Sequence, residues 1–183
     1  MTVRPDARVA ALALPRRAAA SRAGAWGPVV AMVLLTALGA QAVIRLPFGP
    51  VPFTMQVFGV LLTGLLLDPR RALAAQFTYV GLGAVGVPWF AGMAALGTGL
   101  LTVGYLAGFV VAAPMVASLR GRLGPVAAGL LGIAVIHVLG GFHLARFPGI
   151  DLGIVWTSGV LPFLPGDLLK RGLAIATARR LAA

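Results

Sequence analysis

The sequence predicts an all-α, polytopic integral membrane protein with six transmembrane helices and both termini cytoplasmic. Three observations predict it. Hydrophobic residues fill 60% of the 183 positions and charged residues 10%, with a mean hydropathy of +0.99, whereas soluble domains are about half apolar and a quarter charged. Residues 72 to 119 contain no Asp, Glu, Lys or Arg; a soluble core needs no such run, but bilayer-spanning helices do. The basic residues, finally, sort to alternate connections, as the positive-inside rule requires.

Residues 1–25 carry Arg4, Arg8, Arg16, Arg17 and Arg22 among alanines. They read as a basic cytoplasmic tail before a membrane domain over 26–183, with an Arg-rich transit peptide as the alternative. Breaks at Pro, Gly and charge then set spans at 26–44, 52–67, 72–88, 99–119, 125–145 and 160–179, against the roughly 20 apolar residues a crossing takes. The second and third are short, which implies tilt or partial insertion. In the first span, Gly27/Ala31 and Thr36/Ala40 place small residues at four-residue spacing. Such pairs let another helix approach closely, either a partner's or one of the same bundle.

The connections separate by charge. Inner segments hold Arg70, Arg71, Arg120, Arg122, Arg171, Arg179 and Arg180 besides the tail, and outer segments hold only Arg45 and Arg146. The first outer segment, RLPFGPVPF (45–53), is a turn whose prolines forbid a continuous helix. The second, GVPWFAGMAALGTG (86–99), is Gly-rich and carries Trp89 and Phe90. Residues 146–159, with Asp151 and Trp156, have room for a short helix or interfacial loop before the last span. Interfacial Trp commonly anchors a helix in the headgroup region; three such segments on one side also have the means to close over a ligand.

The net charge of +11 does not indicate nucleic acid, because the basic residues cluster at the ends of apolar runs rather than along one stripe. Absence of cysteine excludes disulfides and thiolate metal sites. No paired carboxylates, GxSxG elbow or HExxH pair occurs, so no enzyme is indicated. The one lysine, Lys170, precedes Arg171 rather than Ser or Thr, so there is no Walker A loop and the chain does not itself hydrolyse ATP. His137 and His143 stand on different helix faces, which disfavours a shared metal, and a lone bundle histidine is usually a packing residue. Gln41, Gln56 and Gln76 are the only side-chain amides. Interhelical hydrogen bonding explains all three, and Gln56, just after the first outer turn, is also placed to read a polar ligand.

The segment LPFLPGDLLKRG (161–172) is the sharpest feature. Pro162 and Pro165 suit the start of a helix, and three residues of helix put Asp167 and Lys170 on one face, about 60° and 4.5 Å apart. An ion pair near a helix N-terminus is one reading. The other is a site, since intramembrane ionisable residues mark substrate pathways. An acid and an ammonium together suit a small ligand bearing N–H donors and a carboxylate.

Four segments, PFGPVPFTMQ (47–56), LLTGLLLDPRRALAAQFTYVGLGAVGVPWFAG (61–92), GYLAGF (104–109) and LPFLPGDLLK (161–170), together resemble the BioY family, the biotin-binding S components of energy-coupling-factor (ECF) vitamin transporters. PVPFTMQ and LPFLPGDLLK are the specific parts. The resemblance implies a bacterial inner-membrane protein that captures biotin at the outer face and uses no cofactor. It also implies an ECF transmembrane coupling protein and two cytoplasmic ATPases as partners, or a homo-oligomer, with Gly27, Ala31, Thr36 and Ala40 at the partner interface. By the matching PGDLLK, Asp167 is expected to bond the ureido ring and Lys170 to face the carboxylate tail.

This chain departs from the family where a GPTGGY-type segment reads LLTVGY (100–105), and it has neither an Arg between 72 and 119 nor any Asn. Contacts made there by other members are therefore expected from Gln76, Tyr79, Thr98 or the backbone, with Gln56 beside them and Trp89, Phe90 and Tyr105 as apolar walls. Two alternatives stay open: an S component for another vitamin or small acid, and an autonomous transporter using Asp167 as a proton site.

Overall fold

A computed structural model describes residues 26–182 except 48, 50 and 96–99, with the backbone alone at 100. The predicted basic tail lies outside these residues. Five helical runs make the bundle: α1 (Gly27–Gln41), α2 (Gln56–Leu66), α3 (Pro69–Ala84), the 42-residue stretch Val103–Leu144, and a last helix, Leu164–Ala182. The long stretch is really two helices. Gly124 has φ 79° and ψ 161°, a conformation open to a residue without Cβ. It separates α4 (103–123) from α5 (125–144), where Pro125 opens the new helix at no hydrogen-bond cost. With Leu164–Ala182 as α6, the described residues are a bundle of six helices.

Some predicted boundaries move. The span expected over 52–67 begins at Gln56, because the chain before it folds back on the start of the first connection: Ile44 and Phe53 exchange backbone bonds of 2.8 and 2.9 Å across the turn. The span expected from residue 99 begins at Val103, after a 3₁₀ turn at Leu100–Thr102. The expected short helix before the last span is present. Asp151 caps it, accepting from Ile154 N at 2.8 Å. It runs from Leu152 through a π-helical turn, Val155–Val160, into α6 with a 41° bend.

Large apolar side chains stand on the outside of the helices. Leu38 is 69% exposed, Phe77 66% and Leu169 76%, a surface that a water-soluble fold avoids and lipid tails cover. Among the described residues, the stretch Val103–Leu144 shared by α4 and α5 is long and apolar enough to cross a bilayer, and the bent pair Leu152–Val160 with Leu164–Ala182 is a second candidate. Gly27–Gln41 and Gln56–Leu66 are apolar but shorter. Inside, small residues let the helices touch: a Cβ on Gly108 would stand 2.8 Å from Ile136 Cα, and one on Gly64 2.7 Å from Ala113 O. Where apolar burial gives no preference for helix over lipid, such close packing holds a bundle together.

The two ends differ in chemistry. At one, Asp68 caps α3 by accepting from Arg70 N and Arg71 N, both at 3.1 Å, and pairs with the Arg71 guanidinium at 3.3 Å. Arg120 donates to Gly64 O at 2.9 Å; burial lowers its pKa, and Asp68 opposes that shift. At the other end the connections 42–55, 85–102 and 145–163 meet. Gln41, the last residue of α1, ties the second of them to that helix, donating to Trp89 O at 3.0 Å and accepting from Met93 N at 3.1 Å.

The small-residue pairs of α1 divide. Gly27 and Ala31 are exposed, whereas Thr36 and Ala40 are wholly buried. Thr36 Oγ1 donates to Met32 O at 2.8 Å and accepts from Gln76 at 3.2 Å. The cause is angular, since five residues from Ala31 to Thr36 turn about 140° around the axis. The expectation of a single partner face through all four residues is therefore corrected: Thr36 and Ala40 pack inside the bundle. Ala40→Trp should destabilise the protein by at least the 1–3 kcal/mol typical of overpacking, lowering its melting temperature in detergent, while Ala31→Trp should leave melting unchanged.

Candidate ligand-binding site

The meeting connections and the helix ends beneath them enclose a cavity of about 550 Å³, its open mouth included. Val51, Pro52 and Thr54 come from the first connection, Phe90, Ala91 and Thr102 from the second, and Phe163 from the third. The floor is apolar, made by Val57, Leu106, Phe109 and Ile136. Besides the two threonines, its polar groups are few: Gln56, Tyr105, His137, Asp167 and Lys170. An apolar cleft with a small convergent polar set is the usual form of a small-molecule site.

The acid stands in the first turn of α6, where a helix N-terminus favours negative charge. Asp167 is 1% exposed and Lys170 4%, so neither charge is solvated and each needs a partner. Lys170 Nζ donates to Asp167 Oδ1 at 2.8 Å, and His137 Nε2 lies 2.8 Å from Asp167 Oδ2. The ammonium also rests over the Phe53 ring, 3.5 Å from its centroid, a favourable cation–π contact. Phe53 in turn stacks on Phe163 with centroids 6.1 Å apart. Gly166 makes this possible, because any Cβ there would run into the Phe53 ring.

A second polar chain backs the opposite wall. Gln56 accepts from Thr54 Oγ1 and donates to Tyr79 OH, both at 2.8 Å. Trp89 Nε1 donates to Tyr79 O at 3.0 Å, and Tyr79 packs against Trp89 and Phe90 with centroids 5.5 Å away in each case. Gly83 leaves the space that Phe90 fills. Tyr105 donates to Gly159 O at 2.8 Å, which ties α4 to the π-helical turn.

Of the residues expected at a site, Asp167, Lys170, Gln56, Phe90 and Tyr105 line the cavity. Tyr79 and Trp89 stand behind its wall and hold Gln56 and Phe90 in place. Gln76 is elsewhere: it donates to Thr36 Oγ1 at 3.2 Å and Thr63 Oγ1 at 3.1 Å, tying α1, α2 and α3 together. Thr98 lies outside the described residues. His137 is the cavity residue whose part sequence reasoning missed. Read along α5 it is one histidine in an apolar helix, and only the packing of α5 against α6 brings it to Asp167. Among the described residues no group of His, Cys, Asp and Glu is arranged to hold a metal.

The fold and cavity define a helical protein with a small-molecule-sized cavity beside a buried acid at one end of its bundle. The chain belongs to the BioY family, whose model matches residues 15–183. It is 39% identical over 155 residues to the probable biotin transporter BioY of Pyrococcus horikoshii, covering 84% of this chain and 93% of that one. The biotin transporter BioY of Thermotoga maritima is 38% identical over 144 residues, covering 75% and 85%. That of Rhodobacter capsulatus is 37% identical over 168 residues, covering 81% and 87%. The fold matches the crystal structure of the S-component for biotin from an ECF-type ABC transporter, with a TM-score of 0.79, 22% identity, and 89% and 94% of the two chains covered.

Because Tyr79 OH takes the Gln56 amide inside the wall, Tyr79→Phe leaves that donor buried and unpaired. The expected cost is about 1–3 kcal/mol, read as a lower melting temperature of the detergent-solubilised protein.

Proposed function

We propose that this protein is the biotin-binding subunit of a membrane transporter, taking biotin into the cavity and mediating its uptake. Its relatives are named as biotin transporters. The observation that carries the reading is a buried Asp167–Lys170 pair facing a largely apolar cavity. Biotin has matching parts: a ureido ring with two N–H donors, an apolar bicycle and tail, and a carboxylate. Asp167 accepts from the ureido ring, the aromatic and aliphatic walls hold the apolar body, and Gln56 supplies a further polar contact. Lys170 keeps its bond to Asp167 Oδ1 and turns its remaining N–H donors toward the carboxylate.

The apolar exterior and the charge asymmetry support a multi-pass placement in the bacterial inner membrane. The Arg-rich end, with both termini, faces the cytoplasm and the cavity opens outward. Energy comes from separate partners, a coupling protein and two ATPases, since this chain has no phosphate-binding loop. The exposed Gly27/Ala31 face of α1 is where a partner helix approaches.

Equilibrium binding of labelled biotin to the purified full-length protein tests the reading, and absence of saturable binding would sink it. Hydrogen bonds to a charged group contribute about 1.5–3 kcal/mol, so Asp167→Asn should weaken binding by about tenfold to a hundredfold. Lys170→Ala should weaken biotin more than its methyl ester. An equal loss on both ligands would assign Lys170 to supporting Asp167 rather than to the tail.

A further inference from the structure

His137 borders the cavity, is 7% exposed and is the third member of the Asp167 cluster. Each carboxylate oxygen has its own donor: Lys170 Nζ on Oδ1 and the imidazole on Oδ2, both at 2.8 Å. A carboxylate offers about four lone-pair directions, so this arrangement leaves part of its capacity free while fixing the plane of the group. Nδ1 of the same ring is buried and has no hydrogen-bond partner among the described residues. A proton there would be an unsatisfied buried donor, a costly state. The proton therefore resides on Nε2, which donates to Asp167.

The ring cannot easily turn away. Tyr105 meets it edge-on at a centroid distance of 6.2 Å and 88°, and Phe163 flanks it at 6.2 Å. Tyr105 is itself held by its bond to Gly159 O, and it occupies the space that a Cβ on Gly140 would take. Three elements thus converge on one N–H: α5 carries it, α4 holds it, and α6 carries the acid that receives it.

We propose that His137 is a positioning residue for ligand recognition. By donating from Nε2 it locks the Asp167 carboxylate so that its remaining lone pairs point at the N–H donors of the ligand's ureido ring. The cluster is already charge-balanced by Lys170. The acid therefore meets a neutral N–H head, and the role of His137 is directional rather than electrostatic. This inference rests on biotin being the ligand.

The test compares three variants of the full-length protein with labelled biotin. Glutamine places its amide nitrogen near the position of Nε2, asparagine near that of Nδ1, and leucine has neither. His137→Leu and His137→Asn should weaken biotin about tenfold or more, the scale of one charged hydrogen bond. His137→Gln should remain within about threefold of the wild type. In the Asp167→Asn background, His137→Leu should add little further loss, as coupled residues do.

Asparagine rescuing where glutamine fails would place the working contact at Nδ1 and overturn the proposal. Fully additive losses, or wild-type affinity in all three variants, would overturn it as well. The Gln and Asn variants are both polar and of similar size, so their comparison stands even if the leucine variant does not fold. Wild-type protein without saturable biotin binding would instead bring down the functional reading, and this inference with it.

Discussion

A single carboxylate governs the molecule. Asp167 is removed from solvent in an apolar bundle, where a bare charge is prohibitive and a paired one is tolerated only with full hydrogen bonding. Its partners come from its own helix and from α5. Supporting them recruits Phe53 from the first connection, Phe163 from the third and Tyr105 from α4. Much of the cavity wall is thus the environment that an intramembrane acid needs. A site of this kind is also selective for ligands, because whatever enters must satisfy the groups it meets.

Close packing makes that cluster possible. Gly166 admits Phe53 beneath Lys170, Gly140 admits Tyr105 beside His137, and Gly83 admits Phe90 against Tyr79. In each case a missing side chain on one helix makes room for an aromatic ring from another segment. The glycines of this chain therefore do two jobs. Some, such as Gly64 and Gly108, bring helix backbones together; others shape the cavity by yielding volume to its walls.

Much of this was legible in the sequence, for reasons that also mark where legibility stops. Apolar runs, their breaks and the arginine count name six helices and a polarity, since these are local properties. Asp167 and Lys170 are legible as a pair because three residues of helix bring them to one face. The first connection is legible only in part: its prolines announce a turn, but that the helix waits until Gln56 follows from pairing between Ile44 and Phe53. His137 is illegible because its meaning is a contact thirty residues away. Gln76 is legible as an interhelical hydrogen-bonding residue, but not its partners: the hydroxyls of Thr36 and Thr63 receive it. Small residues at four-residue spacing look like a docking face until one pair is found already docked.

The two ends of the bundle then acquire different work. Where the three long connections meet, backbone leaves the helix and the cavity opens, and side chains from all three share its wall. Irregular backbone at such depth is tolerated where protein covers it or where it lines a cavity, so the break in helical order and the site have one cause. At the opposite end the connections are a capped turn at Asp68 and a single residue at Gly124. Short links there leave little freedom for the helices to separate, while the long links leave room for side chains to rearrange around a ligand. A protein built this way carries its cavity at its loose end and is held together at its tight one.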